Sequence, residues 1–516
     1  MIVRTMRSTF SISLYVGIII TASDTLNFNL STKIINIRLL FYILLLFLYL
    51  LNNDYCVKRI IIFLYFFSST LLQAQEQKNV TLLDHWKEDS LITNTSLVRY
   101  SGCWGFTHNA IEYAIIGSTE GTHFFKLSDE NKLIQCGFVE GRFNSSQVIH
   151  REFKTFGHYA YSICDEGNSS LQIIDLSYLP DSVVKVADIQ DVNFGKVHNL
   201  TIDTSNALLY ACLVTPIVAG NPLSLVPLRV FSLANPTNPL LLWEGPTDIP
   251  IVHDCYVRNN IAILNCGDEG LRVYDFTNPS TPNFINNLTF YQDQGYNHQG
   301  WLSPNGSTYI FADETNGKRV KKCTVGPNFS IQVESYFGTN YENNSIPHNI
   351  MCTDQFAFVA YYNEGLRIFD VRNTPVEVAS YDTYPTSSNF KMNGAWGVFS
   401  NYSTGRIIVS DRQNGLFLLH FDQSVFLNEA ADKFSVYPNP TSKNGKFIVR
   451  SANDEISEFS VKMYNVAGDL MLAETIHNQS FGSFNAPNTA GLYTLKIEFL
   501  NYLGEKEIIS RKLISQ

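Results

Sequence analysis

The stretch 251–279, IVHDCYVRNNIAILNCGDEGLRVYDFTNP, decides the fold, because its phrase returns along the chain. His253 and Gly270 stand 17 residues apart, and His150 and Gly167, His348 and Gly365, and Trp104 and Gly121 repeat that spacing. His298 to Gly317 and Trp396 to Gly415 are 19 apart, and His198 opens a copy stretched by an insertion at 214–226. The anchors 104, 150, 198, 253, 298, 348 and 396 are separated by 46, 48, 55, 45, 50 and 48 residues, a period that belongs to solenoids, propellers or arrays. Inside the phrase, 254–257, 261–265 and 271–276 alternate as short strands and 283–290 supplies a fourth. Gly270, Gly365 and Gly167 fall where the hairpin between strands two and three turns, a place for positive φ. Four short antiparallel strands, seven times over, predict an all-β fold: a seven-bladed β-propeller across 79–423.

The segment NVTLLDHW at 79–86 matches the outermost strand of a blade, and the last unit, 396–421, lacks its fourth strand. The N-terminal strand is therefore expected to complete the last blade and leave no open sheet edge.

LQIID at 171–175, LRVYD at 271–275 and LRIFD at 366–370 resemble the LVIVD repeat, a bacterial propeller-type repeat. The order of Trp104-Gly105, His198-Asn199, His253-Asp254, His298-Gln299, His348-Asn349 and Asn393 to Trp396 is similar to the choice-of-anchor B family of secreted LVIVD proteins. The resemblance implies architecture and export, and no activity.

At the C-terminus the composition changes. After a linker at 424–433, YPNP at 437–440, YNVAGD at 464–469, AGLYTLKI at 490–497 and KLI at 512–514 are strands and turns of a small β-sandwich at 434–516. These ordered blocks resemble the type A sorting domain of type IX secretion. That resemblance implies the type IX machinery as a partner through 434–516, and a secreted or outer-surface destination. At the other end, Lys58-Arg59, the apolar run 60–72 and Ala74 have the form of a secretory signal at 57–74. Residues 1–56, with the apolar run 39–51, then read as a hydrophobic leader or an over-extended gene start; the rival reading is a pair of N-terminal membrane segments. Contact with a membrane is expected only during export or through surface anchoring.

Of 516 residues, 45% are hydrophobic and 16% charged, and 47 acidic against 37 basic residues give a net charge of −10. With no basic run in the repeats, nucleic acid is excluded as a partner. Beyond the leader the cysteines are scattered one per strand with no CxxC pair, and buried free thiols are expected.

Chemistry is expected at the channel mouth. In a four-stranded meander the start of the inner strand and the turn between strands two and three share a face, so His150, His198, His253, His298 and His348 should circle the mouth, with Trp104 and Trp396 in the remaining places. Asp254 follows one of these histidines, and Asp165, Asp268, Asp313 and Glu314 stand in the acidic turns. One reading is a site for a polar ligand or a divalent metal such as Zn, Mn or Ca, no cofactor being fixed by the sequence. The other is that a residue repeated in every blade serves the fold. A wide seven-fold circle is expected to hold the histidines too far apart to share an ion, and the residues after them to point away. Catalytic residues are not identified: no GxSxG elbow, HExxH helix or phosphate loop occurs. The sequence thus supports an exported binding module for a protein or glycan partner, with a metal-assisted hydrolase or lyase at the histidine funnel as the alternative.

Overall fold

The structure, a computed structural model, describes residues 77–339, 345–385, 392–423, 433–451, 456, 458–500 and 506–516. The expected leader and signal, and 424–432 of the expected linker, lie outside these residues. Among the described residues the regular structure is all strand apart from one 3-10 turn at Pro327–Phe329.

Among the described residues, seven sheets repeat one antiparallel meander. The opening phrase forms one of them, Asp254–Arg258, Ile261–Asn265, Leu271–Asp275 and Asn283–Leu288, paired in that order. The inner strands, in chain order of the blades, are Tyr100–His108, Arg151–Phe156, Asn199–Asp203, Asp254–Arg258, Asn297–Leu302, Ile350–Cys352 and Ala395–Phe399. Both faces of each blade are covered, which is why the strands read as near-continuous apolar runs. Ala262 and Leu264 enter a core shared with the third blade, while Ile263 between them enters a core shared with the fifth. Tyr309 and Phe311 meet that second core, and Ile310 and Ala312 turn to the sixth blade. This is the two-residue period of a strand used on both sides.

The circle is closed by the N-terminus. Val80–Trp86 pairs with Gly415–Phe421 as the fourth strand of the seventh blade, and one core joins the sixth, seventh and first blades. The repeated glycine has the same cause in three blades. At Gly270 (φ +76), Gly365 (φ +73) and Gly415 (φ +92), an added Cβ would lie 2.2 Å from a carbonyl oxygen of the outer strand, Leu288, Tyr381 and Trp86 respectively. Trp86 thus does for the seventh blade what each blade's own outer strand does elsewhere.

The insertion lengthens a hairpin. Leu208–Val218 extends past the blade, pairs with Gly195–Lys196 and Asn221–Pro222, and leaves Val218, Leu223 and Leu225 exposed at its tip. Eight cysteines beyond the leader are free thiols, all buried except the half-buried Cys136. Burial pushes the Cys103 thiol up to about 12 and keeps it unreactive.

The C-terminal region is a sandwich. A three-stranded sheet with Phe447, Val449 and Phe484 shares one core with a four-stranded sheet carrying Val461, Leu495, Ile497 and Leu513.

Asp313 departs from the expected mouth. Its side chain is fully buried within the fifth blade, where Tyr291 Oη (2.8 Å), Gly295 N (2.7 Å) and Lys321 Nζ (2.8 Å) donate to it. Lys321 is equally buried. Replacing Lys321 with Met leaves a buried carboxylate without its counter-ion and should cost about 3–5 kcal/mol, read as a lower denaturant midpoint, with much of the loss recovered in Lys321→Met/Asp313→Asn. A single variant that unfolds with the wild type would show that the pair carries no such load. A chain lacking 77–86 should self-associate through the bared edge of Gly415–Phe421. Light scattering would report this, and a synthetic 77–86 peptide should reverse it; a monomeric truncated chain would contradict the closure.

Candidate functional site

The inner strands begin at the centre of the molecule, and their repeated residues meet there. Successive ring centroids lie 4.9 Å apart for His150–His198, 4.3 Å for His198–His253, 4.2 Å for His253–His298, 4.4 Å for His298–His348, 4.1 Å for His348–Trp396 and 4.9 Å for Trp396–His150. Six rings touch in a closed circle. The expectation of a wide mouth with separated histidines is therefore wrong: the inner strands converge until their side chains pack edge and face.

Trp104 is not in the circle. It packs on Phe399 (5.0 Å), donates Nε1–H to Thr155 Oγ1 (3.2 Å) and lies under Lys154 Nζ (4.3 Å). The cause is register. His298 and Trp396 are the extra residues of β-bulges, between Asn297 and Gln299 and between Ala395 and Gly397. The corresponding bulge of the first blade runs from Tyr100 to Cys103 and holds Ser101 and Gly102. A Cβ on Gly102 would lie 2.4 Å from Glu152 Oε2, so the first blade contributes no ring and Glu152 occupies its place, accepting from Trp396 Nε1 (3.0 Å).

Four of the five histidines use Nδ1 to hold the circle. His253 donates Nδ1–H to the His298 carbonyl (3.2 Å) and His348 to the Trp396 carbonyl (2.6 Å). His150 Nδ1 reaches Glu166 Oε1 (2.7 Å) and His198 Nδ1 reaches Asp165 Oδ2 (2.8 Å). His298 Nδ1 is buried and faces the backbone of His348 without a well-formed hydrogen bond. A carbonyl only accepts, so the proton of His253 and His348 sits on Nδ1 and their Nε2 atoms keep a lone pair. Glu314 stands against these atoms: Oε2 is 3.7 Å from His298 Nε2, Oε1 is 3.9 Å from His348 Nε2, and the Tyr362 hydroxyl donates to Oε1. One ligand atom each from His253, His298 and Glu314 lies within 4.8 Å of the others.

Burial shapes the electrostatics. It holds His298 down at about 4, and burial followed by the neighbouring imidazole of His298 keeps His253 and His348 well below the ordinary histidine range. For His198 burial works the other way from its partner, and the Asp165 hydrogen bond and charge prevail, raising it. Behind the circle, burial pushes Asp254 up to about 7 and raises Glu152. Asp254 does not point away from the channel environment: it is buried, accepts from Cys255 N (2.6 Å) and feels Lys154, Glu152 and His198.

The placements are thus uneven. His150, His198, His253, His298, His348, Asp165 and Glu314 come together, with Asp254 behind them. Asp313 is turned into its blade, and Asp268 is exposed in its turn, its backbone carbonyl accepting from Gln294. Sequence reading missed Glu152, Tyr362 and Arg412, whose guanidinium lies 4.7 Å over Trp396. Glu152 carried a usable signal, standing two residues after His150 and so on the same side of the strand. Tyr362 and Arg412 stand three residues before Gly365 and Gly415, as Glu314 does before Gly317, but the residue type there changes from blade to blade and so carried no signal.

Residues 348–383 match the LVIVD repeat, and residues 435–514 match the secretion system C-terminal sorting domain. The narrower choice-of-anchor B group is not among the families matched. No curated protein matches the chain. Among solved structures the chain is similar to the C-terminal WD40 domain of Sif2 (10% identity, 67% of this chain and 99% of that one, TM-score 0.45). It is also similar to the β-propeller domain of Cps50 (Swd1) from Myceliophteria thermophila (10%, 66% and 99%, 0.45) and to a protein from Lactobacillus plantarum (11%, 75% and 99%, 0.42). The chain is an all-β propeller protein that carries an LVIVD repeat and ends in a type IX sorting domain, which sends it to the cell surface or the extracellular space.

Proposed function

We propose that the exported propeller is a binding module for a protein or glycan partner, and that the partner docks on the channel mouth. One observation carries this reading: the residue repeated in six of the seven blades is gathered with the carboxylates of Asp165, Glu166 and Glu314 into a single polar surface. Its rim is open, with the side chains of Asp165 31% and His150 20% exposed, while its floor of His298 and His348 is buried. Carboxylates of fixed orientation accept from hydroxyls and ammonium groups, and the plane of Trp396 backs the circle; polar recognition of this kind needs few groups if they are held rigidly. A second reading, a metal-assisted hydrolase or lyase, has in its favour the proximity of His253, His298 and Glu314, which is the arrangement such chemistry starts from.

The full exported chain, screened on glycan and peptide arrays, should retain a ligand whose affinity falls about tenfold or more in Asp165→Asn/Glu166→Gln, the loss of two charge-assisted contacts. Glu130→Gln, exposed in the connection between strands three and four of the first blade and so on the opposite face, should leave it unchanged. Equal affinity in the wild type and the mouth variant would move the docking surface elsewhere.

A further inference from the structure

We infer that the mouth holds one divalent transition-metal ion of the zinc type, ligated by His253, His298 and Glu314 with one position open toward the rim. The inference rests on the reading of the mouth as a binding site and names what binds at its floor. Three observations carry it.

The first is distance. Zinc bonds of about 2.0–2.2 Å in tetrahedral array put ligand atoms about 3.4 Å apart. His298 Nε2 and Glu314 Oε2 stand at 3.7 Å, and one ligand atom from each of the three residues lies within 4.8 Å of the others, so an ion would need the side chains to draw together.

The second is the state of the donors. A metal-binding imidazole commonly gives its other N–H to a backbone carbonyl or carboxylate, which fixes the tautomer and aims the lone pair. His253 does this through the His298 carbonyl, so that Nε2 is the free donor. In Glu314 the Tyr362 hydroxyl occupies Oε1, which leaves Oε2, the oxygen beside His298, for the ion. The supporting shell of a metal site is built.

The third is confinement. His298 is buried between the rings of His253 (4.2 Å) and His348 (4.4 Å), which hold its Nε2 beside Glu314 Oε2.

The donor set also selects the ion. Two imidazoles and one carboxylate suit zinc and its late first-row neighbours; calcium takes six to eight oxygens, and manganese favours carboxylate, carbonyl and water. His348, with Nε2 3.9 Å from Glu314 Oε1, borders the site on the side away from His253. Asp165 and Glu166 are held by His198 and His150 and stay on the rim.

The test uses the full exported chain, stripped with a chelator and titrated separately with Zn²⁺, Mn²⁺ and Ca²⁺, with bound metal read by elemental mass spectrometry. One zinc per chain is expected, uncontested by calcium, and Co²⁺ in its place should give the intense visible d–d bands of a four-coordinate site. His253→Gln and Glu314→Gln should each weaken zinc by about 100-fold or more, and Tyr362→Phe by about 10-fold. Glu130→Gln, on the opposite face, should leave zinc affinity unchanged, and circular dichroism of each variant separates lost metal from lost fold. A folded wild type that takes up no zinc, or folded His253→Gln and Glu314→Gln chains that bind it as the wild type does, would overturn the inference. Array binding by the metal-free chain separates the two claims. Capture without zinc would keep the binding-module reading whatever the metal result, and zinc uptake with no ligand captured would keep the metal site alone.

Discussion

The pairing of Val80–Trp86 with Gly415–Phe421 is the constraint on which the molecule depends. A blade with two apolar faces cannot stand alone in water, and a row of such blades solves the problem for every member except the two at its ends. Closing the row removes those ends. The chain achieves closure with backbone hydrogen bonds between segments more than 300 residues apart, and the aromatic and aliphatic cores between blades then bury both faces of every sheet. The need for Gly415 beneath the Trp86 carbonyl shows how closely the donated strand copies a native one.

Closure also creates the centre. Each inner strand starts beside its neighbours, so a residue repeated once per blade becomes a circle of contacts rather than a scattered set. Planar rings suit that place because they can pack at 4–5 Å around an axis too narrow for free side-chain movement. Six rings fill it, and the first blade yields its position to Glu152, whose carboxylate is held by the indole N–H of Trp396.

Much of this was legible in the sequence, for a physical reason: the period, the turn glycines and the alternating strands all report local geometry. The closing strand was legible too, since 79–86 has a blade strand's pattern with no blade of its own. What failed was anything decided by register or radius. Trp104 matches the spacing to Gly121, but spacing counts residues and ignores the bulge that carries Ser101 and Gly102 into its expected place. Asp313 and Glu314 are adjacent in the same turn, and which one faces the axis depends on Lys321 drawing Asp313 into the blade. Asp268 looks equivalent to Asp165 in sequence, each standing two residues before its turn glycine, yet Asp165 reaches His198 and Asp268 is left in water. The width of the mouth, which decides whether histidines can act together, is set by how far seven twisted sheets wedge inward, and no single repeat encodes that.

A structural duty and a ligand-binding one are compatible in the same histidine. An imidazole has two nitrogens with separable duties. In four of the five histidines Nδ1 is committed to the fold, to a neighbouring blade's carbonyl for His253 and His348 and to a turn carboxylate for His150 and His198. That commitment is itself what frees and orients Nε2, and for His253 and His348, bonded to carbonyls that can only accept, it also fixes which nitrogen carries the proton. The same bond that lets a repeated histidine serve every blade prepares it to meet a ligand, so that repetition across the blades, read alone as a sign of architecture, is compatible with a site at the one point where all the repeats converge.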